Sequence, residues 1–322
     1  MPPLAQSLAQ FNRRSALGLF GAFAADAALA PTMLRADVNP DWTTPMPPFR
    51  IAGNLHYIGS RDLASYLITT PKGHILINSN LVTSPVQIRA SIEKLGFHLR
   101  DVKVLLISHA HYDHCAGSAE IKRLTGAKYM VMDADVSVVE SGGRTDFQYG
   151  TDPTMHFPAT KVDRALHDGE TIQFGGIELT AHKTPGHTKG CTTWSMDISN
   201  DFEFQKAAES KAAGMQGGKI QFHVVIVGSP NVNPGYRLVD NKKYPQIASD
   251  YEQCFHILRL LRDCGIFLGA HGGYFNMLAK YARLKAGDAA AFFDPAGYKS
   301  YIAERQQAFE AELARQKKPH PG

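Results

Sequence analysis

VLLISHAHYDHCAG, residues 104–117, joins an apolar run to a dense polar cluster. Val104–Ile107 is short and continuously apolar, which predicts a buried strand. Ser118 to Thr125 carries helical spacing, and Gly126 supplies a stop. The intervening loop therefore leaves the C-terminal end of a strand, where side chains for binding sit on a rigid scaffold. Within it, His109, His111, Asp113 and His114 place three histidines and one aspartate in six positions. Residues 109 and 111, two apart in extended chain, point to the same side. Asp113 and His114 follow where the chain turns back, so they reach a second point nearby. That pattern predicts two adjacent metal sites.

The rest of the chain supports a strand-and-helix protein of ordinary composition. At 322 residues, with 44% hydrophobic and 20% charged residues, it has enough material for a substantial core. A net charge of +4 is too mild to argue for nucleic acid. Residues 49–77 read as successive strands, and residues 84–96 as a helix with Ser84 as N-cap, Pro85 in the first turn and Gly96 as stop. Residues 171–182 predict a hairpin turning at Gly175–Gly176. Residues 199–219 are polar and are expected to be a surface insertion. Two further strands end at Ser229 and His271. They flank an amphipathic helix at 246–262 with Ile247, Tyr251, Cys254, Leu258 and Leu261 inward, and a terminal helix closes the chain. Two sheets facing each other with helices outside would bury every apolar face.

At the N-terminus, Arg13 and Arg14 precede a short apolar stretch and then small residues. This is the grammar of an export signal, with a twin-arginine flavour, and it is too short to span a bilayer. Residues 1–30 are therefore assigned to export and 31–322 to a single domain. Periplasmic or secreted localisation follows. Cys115, Cys191, Cys254 and Cys264 show no zinc-finger spacing; in an oxidising compartment a Cys254–Cys264 bridge is conceivable, as are buried thiols.

Three strand ends thus carry ligand-type residues: His109, His111, Asp113 and His114; then His187; then His271. Imidazole nitrogen and carboxylate oxygen suit zinc with a coordination position left open. His182, on the strand before His187, is left out of the set. The pattern HxHxDH, with TPGHT at 184–188 and GAHGG at 269–273, resembles the metallo-β-lactamase superfamily over nearly all of residues 49–300. The resemblance implies an α/β fold of four layers, αβ/βα, in which two facing mixed sheets carry helices outside. SGGRTDFQYG at 141–150 and GSPNVNPGYRLVDNKKYP at 228–245 resemble subclass B3 most.

By that resemblance, His109, His111 and His187 hold one Zn2+ and Asp113, His114 and His271 a second, two per chain. Asp113 would also be catalytic, orienting a zinc-bound hydroxide. Lactonases and glyoxalase II place a bridging aspartate where this chain has Ser229, which favours a β-lactamase. Asn78 stands where much of the superfamily has an aspartate supporting the ligand loop. Ser229, Asn233 and Gln148 are the expected substrate contacts; Asn231, Tyr149 and Trp42 are weaker ones. The expected protein is a monomeric, zinc-dependent β-lactamase that opens small-molecule β-lactam antibiotics and so confers resistance, with no nucleic-acid partner and no membrane span. The alternatives are another hydrolase of this fold acting on lactones or thioesters, and a non-enzymatic metal-binding protein.

Overall fold

Central strands buried on both faces organise the molecule. In the computed structural model, residues 39–198, 202–212, 222–261 and 264–318 are described; they fall in the unit Asp37–Gly322. The expected export signal lies outside the described residues. Strands β1 (Phe49–Ala52), β2 (Leu55–Tyr57), β3 (Tyr66–Thr70), β4 (Gly73–Ile77), β5 (Val102–Leu106), β6 (Lys128–Met132) and β7 (Arg164–Leu166) form one sheet in that order. Its first four strands are antiparallel, and β4 to β7 run parallel. Strands β8 (Glu170–Phe174), β9 (Ile177–Lys183), β10 (Thr192–Asp197), β11 (His223–Val227) and β12 (Cys264–Gly269) form the second, in the order β12-β11-β10-β9-β8.

Ile75 and Ile77 of β4, Val104 and Leu106 of β5, and Met130 and Met132 of β6 enter one core with Leu179, Trp194 and Leu268 of the other sheet. Their neighbours Leu76, Leu105, Tyr129 and Val131 face the opposite way. The period of two along a strand thus buries both faces, which is why these segments read as unbroken apolar runs. Helices α1 (Ser84–Lys94), α2 (Tyr112–Cys115), α3 (Ser118–Thr125) and α4 (Val136–Glu140) follow the first sheet's strands. Ile88, Ile92, Ile121, Val138 and Val139 of α1, α3 and α4 cover its outer face. Then come α5 (Phe202–Ala212), α6 (Ile247–Leu260), α7 (Met277–Lys285) and α8 (Pro295–Lys317). Tyr251 and Phe255 of α6 and Phe309 of α8 pack on the second sheet's side. The result is the expected four-layered αβ/βα arrangement of two mixed sheets with helices outside.

Local chemistry ends the elements where expected. Gly126 adopts φ +65° and closes α3 on the Lys122 carbonyl. Gly175 and Gly176, at φ +60° and +90°, make the two-residue turn between β8 and β9. Elsewhere the outcome differs. α1 begins at Ser84 itself, whose Oγ accepts from the Leu81 amide instead of capping the helix. In α6, Phe255 is buried and Leu261 ends the helix half-buried. The polar stretch expected as an insertion contains α5, held by buried Ala208 and by Lys211, paired to Asp288 at 2.7 Å. All four cysteines are buried free thiols, so the conceivable Cys254–Cys264 bridge is not formed.

The two sheets are pinned together beside the ligand loop. Thr192 at the start of β10 donates its amide to the Ser108 carbonyl at 2.7 Å, and Trp194 Nε1 donates to the Ile107 carbonyl at 3.2 Å. The end of β5 is therefore fixed against the strand that follows His187.

Candidate metal centre

Several buried side chains hold the loop that leaves β5. Asn78, just after β4, adopts φ +66°, a left-handed conformation that asparagine tolerates better than most residues. Its Oδ1 accepts the Ser108 amide at 2.8 Å, and its Nδ2 donates to the Ala64 carbonyl at 3.2 Å. A neutral amide thus supports the loop where an aspartate was the familiar choice. Ser79 and Asn80 donate their amides to the His114 carbonyl, fixing α2. Asp135, 1% exposed, takes the amide between the first two histidines, Ala110 N, at 2.9 Å.

All six expected donors converge. The ring centroids of His109, His111 and His187 lie 4.6–4.8 Å from one another. Their ligand nitrogens lie within 4.8 Å of each other, as do the donor atoms of His109, Asp113 and His114. Beside them, Asp113 Oδ2 is 3.2 Å from His114 Nε2 and 3.6 Å from His271 Nε2, and those two nitrogens are 3.2 Å apart. Outer groups orient the rings. His187 Nδ1 bonds the Asn231 carbonyl at 2.8 Å, His271 Nδ1 bonds Asp62 Oδ2 at 2.9 Å, and His111 Nε2 faces Asp146 Oδ2 at 3.8 Å.

Whether these residues fit a metal is testable on the atoms themselves. His109 Nε2 is buried without a hydrogen-bond partner, while its Nδ1 lies 3.4 Å from Ser108 Oγ. Buried polar atoms are rarely left so. One triad offers three imidazoles and the other two imidazoles and a carboxylate, and the Asn231 carbonyl and the Asp62 carboxylate fix the orientations of His187 and His271. Such donor sets suit zinc. The residues present fit the group.

The electrostatics of the three-histidine triad agree. Burial, with the neighbouring histidines, holds His109 well below its ordinary value, and burial brings His111 to about 4 and His187 to about 3. These imidazoles are neutral at pH 7, the form that ligates. Burial opposes charge on Asp113, but His114 and His271 outweigh it and hold the carboxyl well below the usual range. Burial also works against charge on His271, yet Asp113 and Asp62 raise it to about 9. The second triad is thus the more polar of the two.

A cleft of about 420 Å³ opens over the cluster. Trp42, Tyr112, Tyr149, Asn233 and Tyr274 are among its walls. Asn233 is where the sequence placed it, its Nδ2 donating to Tyr149 Oη at 3.0 Å. Ser229 is 1% exposed and does not line the cleft; its Oγ shares a 3.1 Å hydrogen bond with Oη of Tyr274, which does. Gln148 points to the Gly235 carbonyl at 3.5 Å and does not line the cleft. Asn231 contributes its carbonyl, shared by His187 and Tyr251, and His182 lies apart, bonded to Ser195.

Sequence reasoning missed Asp62, Asp135 and Asp146, the carboxylates behind the ligands. Asp146 lay inside a stretch already singled out, where its Oδ1 takes the amides of Gln148 and Tyr149. Asp62 and Asp135 carry no local signal. Their partners are 209 and up to 55 residues away.

A family profile described as the metallo-beta-lactamase superfamily matches residues 61–199. The native FEZ-1 metallo-beta-lactamase of Legionella gormanii is 52% identical, with a TM-score of 0.79, covering 86% of this chain and 98% of that one. The class B3 di-zinc metallo-beta-lactamase LRA-12 from an Alaskan soil metagenome is 36% identical, with a TM-score of 0.76, covering 86% and 98%. A probable metallo-hydrolase of Burkholderia pseudomallei is 29% identical over 108 residues, 34% of this chain and 35% of that protein. The chain thus spans about a third of the length of that curated relative.

Proposed function

The chain belongs to the metallo-beta-lactamase superfamily, and from that premise we propose that it is a zinc-dependent β-lactamase, opening the amide bond of β-lactam antibiotics and conferring resistance to them. The observation that carries the proposal is the likeness to FEZ-1, 52% identical along 98% of that enzyme's chain. A second observation supports this reading over that of a lactone or thioester hydrolase. No carboxylate stands at the end of β11, where Ser229 is engaged by Tyr274.

Zinc ions held by His109, His111 and His187, and by Asp113, His114 and His271, would supply Lewis acidity and bring the pKa of water toward neutrality. The chain's own side chains do the rest. Asp113, kept ionised, accepts a hydrogen bond from the attacking water and aims it at the lactam carbonyl. The carbon–nitrogen bond then breaks as the carbon–oxygen bond forms, and the proton passes to the departing nitrogen. Trp42, Tyr112, Tyr149 and Tyr274 bury the substrate's ring system and exclude bulk water. Asn233 and Tyr149, already paired, offer donors to a substrate carbonyl or carboxylate. Asn233 is therefore the substrate contact retained from the sequence reading. No side-chain nucleophile is needed: Ser229, Cys115 and Cys191 are buried and hydrogen-bonded.

Residues 1–30 are proposed to direct export, so that a monomer works in the periplasm or outside the cell. The deciding experiment compares turnover of a chromogenic cephalosporin and a carbapenem with that of a homoserine lactone and a glutathione thioester, each with and without chelator. Chelator-sensitive turnover of the β-lactams is expected. Preference for the lactone or thioester would replace the proposal with the alternative hydrolase.

A further inference from the structure

We propose that Asp135, a residue outside both ligand sets, sets the spacing of the two loops that carry the three-histidine triad, and so is a positioning residue for that metal alone. The inference rests on the reading of the cluster as a metal centre.

Asp135 follows β6 and is 1% exposed. Its Oδ2 accepts the Ala110 amide at 2.9 Å and the Thr188 hydroxyl at 2.7 Å, while its Oδ1 accepts the Gly190 amide at 2.8 Å. Ala110 sits between His109 and His111, and Thr188 follows His187. Every histidine of one triad is therefore next in sequence to a group that this carboxylate holds. The turn at 188–190 also lies hard against it. A Cβ at Gly190 would meet the Asp135 amide nitrogen at 2.6 Å and its Cβ at 2.8 Å, so that loop has no room to approach differently.

The second triad has other anchors. The His114 carbonyl is held by the Ser79 and Asn80 amides, and His271 by Asp62. Asp135 bonds none of these. A buried carboxylate with three neutral donors from two loops is a clamp, and its loss should act on one site more than the other. An asparagine is a stringent probe. It keeps the shape but sets an NH2 against one of three groups that can only donate or are already donating.

The experiment is a zinc titration of the full chain in competition with a chromogenic chelator, resolving two binding steps. His187→Ala and His271→Ala assign each step to its triad. In Asp135→Asn the three-histidine step is expected to weaken roughly 10- to 100-fold, the range for groups that orient metal ligands. The other step should stay at its wild-type value. Circular dichroism of the metal-free variant checks that the chain folds. Should Asp135→Asn fail to fold, Thr188→Val removes one donor and keeps the charge; it should weaken the same step, by less. Equal weakening of both steps, or no change in either variant that folds, overturns the role given to Asp135. A wild-type chain that takes up no zinc would instead overturn the metal centre itself, so the two failures are told apart.

Discussion

At the residue scale the centre is built from donors that can do little else. A histidine whose two nitrogens are committed, one outward to a carbonyl or carboxylate and one inward to the cluster, has a fixed orientation. Asp62 does this for His271 while also accepting from Trp42 Nε1 at 3.0 Å and the Gly273 amide at 3.0 Å. Asp62→Ala should therefore weaken zinc at the Asp113/His114/His271 site by roughly 10- to 100-fold, read by chelator competition, with the three-histidine site retained. Equal affinity at both sites in the variant would contradict this. His111→Ala removes a ligand outright. Turnover of a chromogenic cephalosporin should fall to a small residue, and wild-type rates would refute the assignment.

At the element scale, α8 depends on one residue at its start. Asp294 caps the helix by accepting the Gly297 amide at 2.8 Å, and it pairs at 2.8 Å with Lys280, which is 3% exposed and packed on Phe267 and Phe275. Asp294→Ala leaves that ammonium buried and unpaired, so it should cost roughly 3–5 kcal/mol in urea unfolding. Lys280→Met should cost less, because Asp294 reaches solvent; the reverse order would refute the account. Strands β2 and β4 carry a second dependence. His56 and His74 are buried against Phe97 with Nδ1 atoms unpartnered, and burial lowers both from 6.5. Above pH 6.5 both states are neutral. As pH falls below it the unfolded chain gains protons first, so stability is lost toward the lowered folded values. His56→Leu/His74→Leu should lose less stability between pH 7 and pH 5 than wild type, measured by urea midpoints at each pH.

At the scale of the whole molecule, the core and the metal centre are separable. The inter-sheet core and the helix-covered outer core are built from apolar side chains on strands and helices that carry their own backbone ladders. Chelation should therefore abolish β-lactam turnover while the far-ultraviolet circular dichroism stays, with the melting temperature lowered by the lost binding linkage. Unfolding on chelation would show instead that the centre holds the fold. The four layers, the helix stops at Gly96 and Gly126, the hairpin at Gly175–Gly176 and the clustering of six donor-type side chains were all legible in the chain. Periodicity, turn chemistry and ligand spacing are local properties, and the dense loop after β5 announced its own role. Other features were not legible. The carboxylates behind the ligands, the burial of Ser229 with its hydroxyl on Tyr274, the turning aside of Gln148, the helix inside 199–219 and the unpaired cysteines were decided by packing. Each depends on which residues from distant segments are brought within a few ångströms. A hydrogen bond across 209 residues leaves no trace in spacing, because only the closing of the two sheets brings Asp62 to His271.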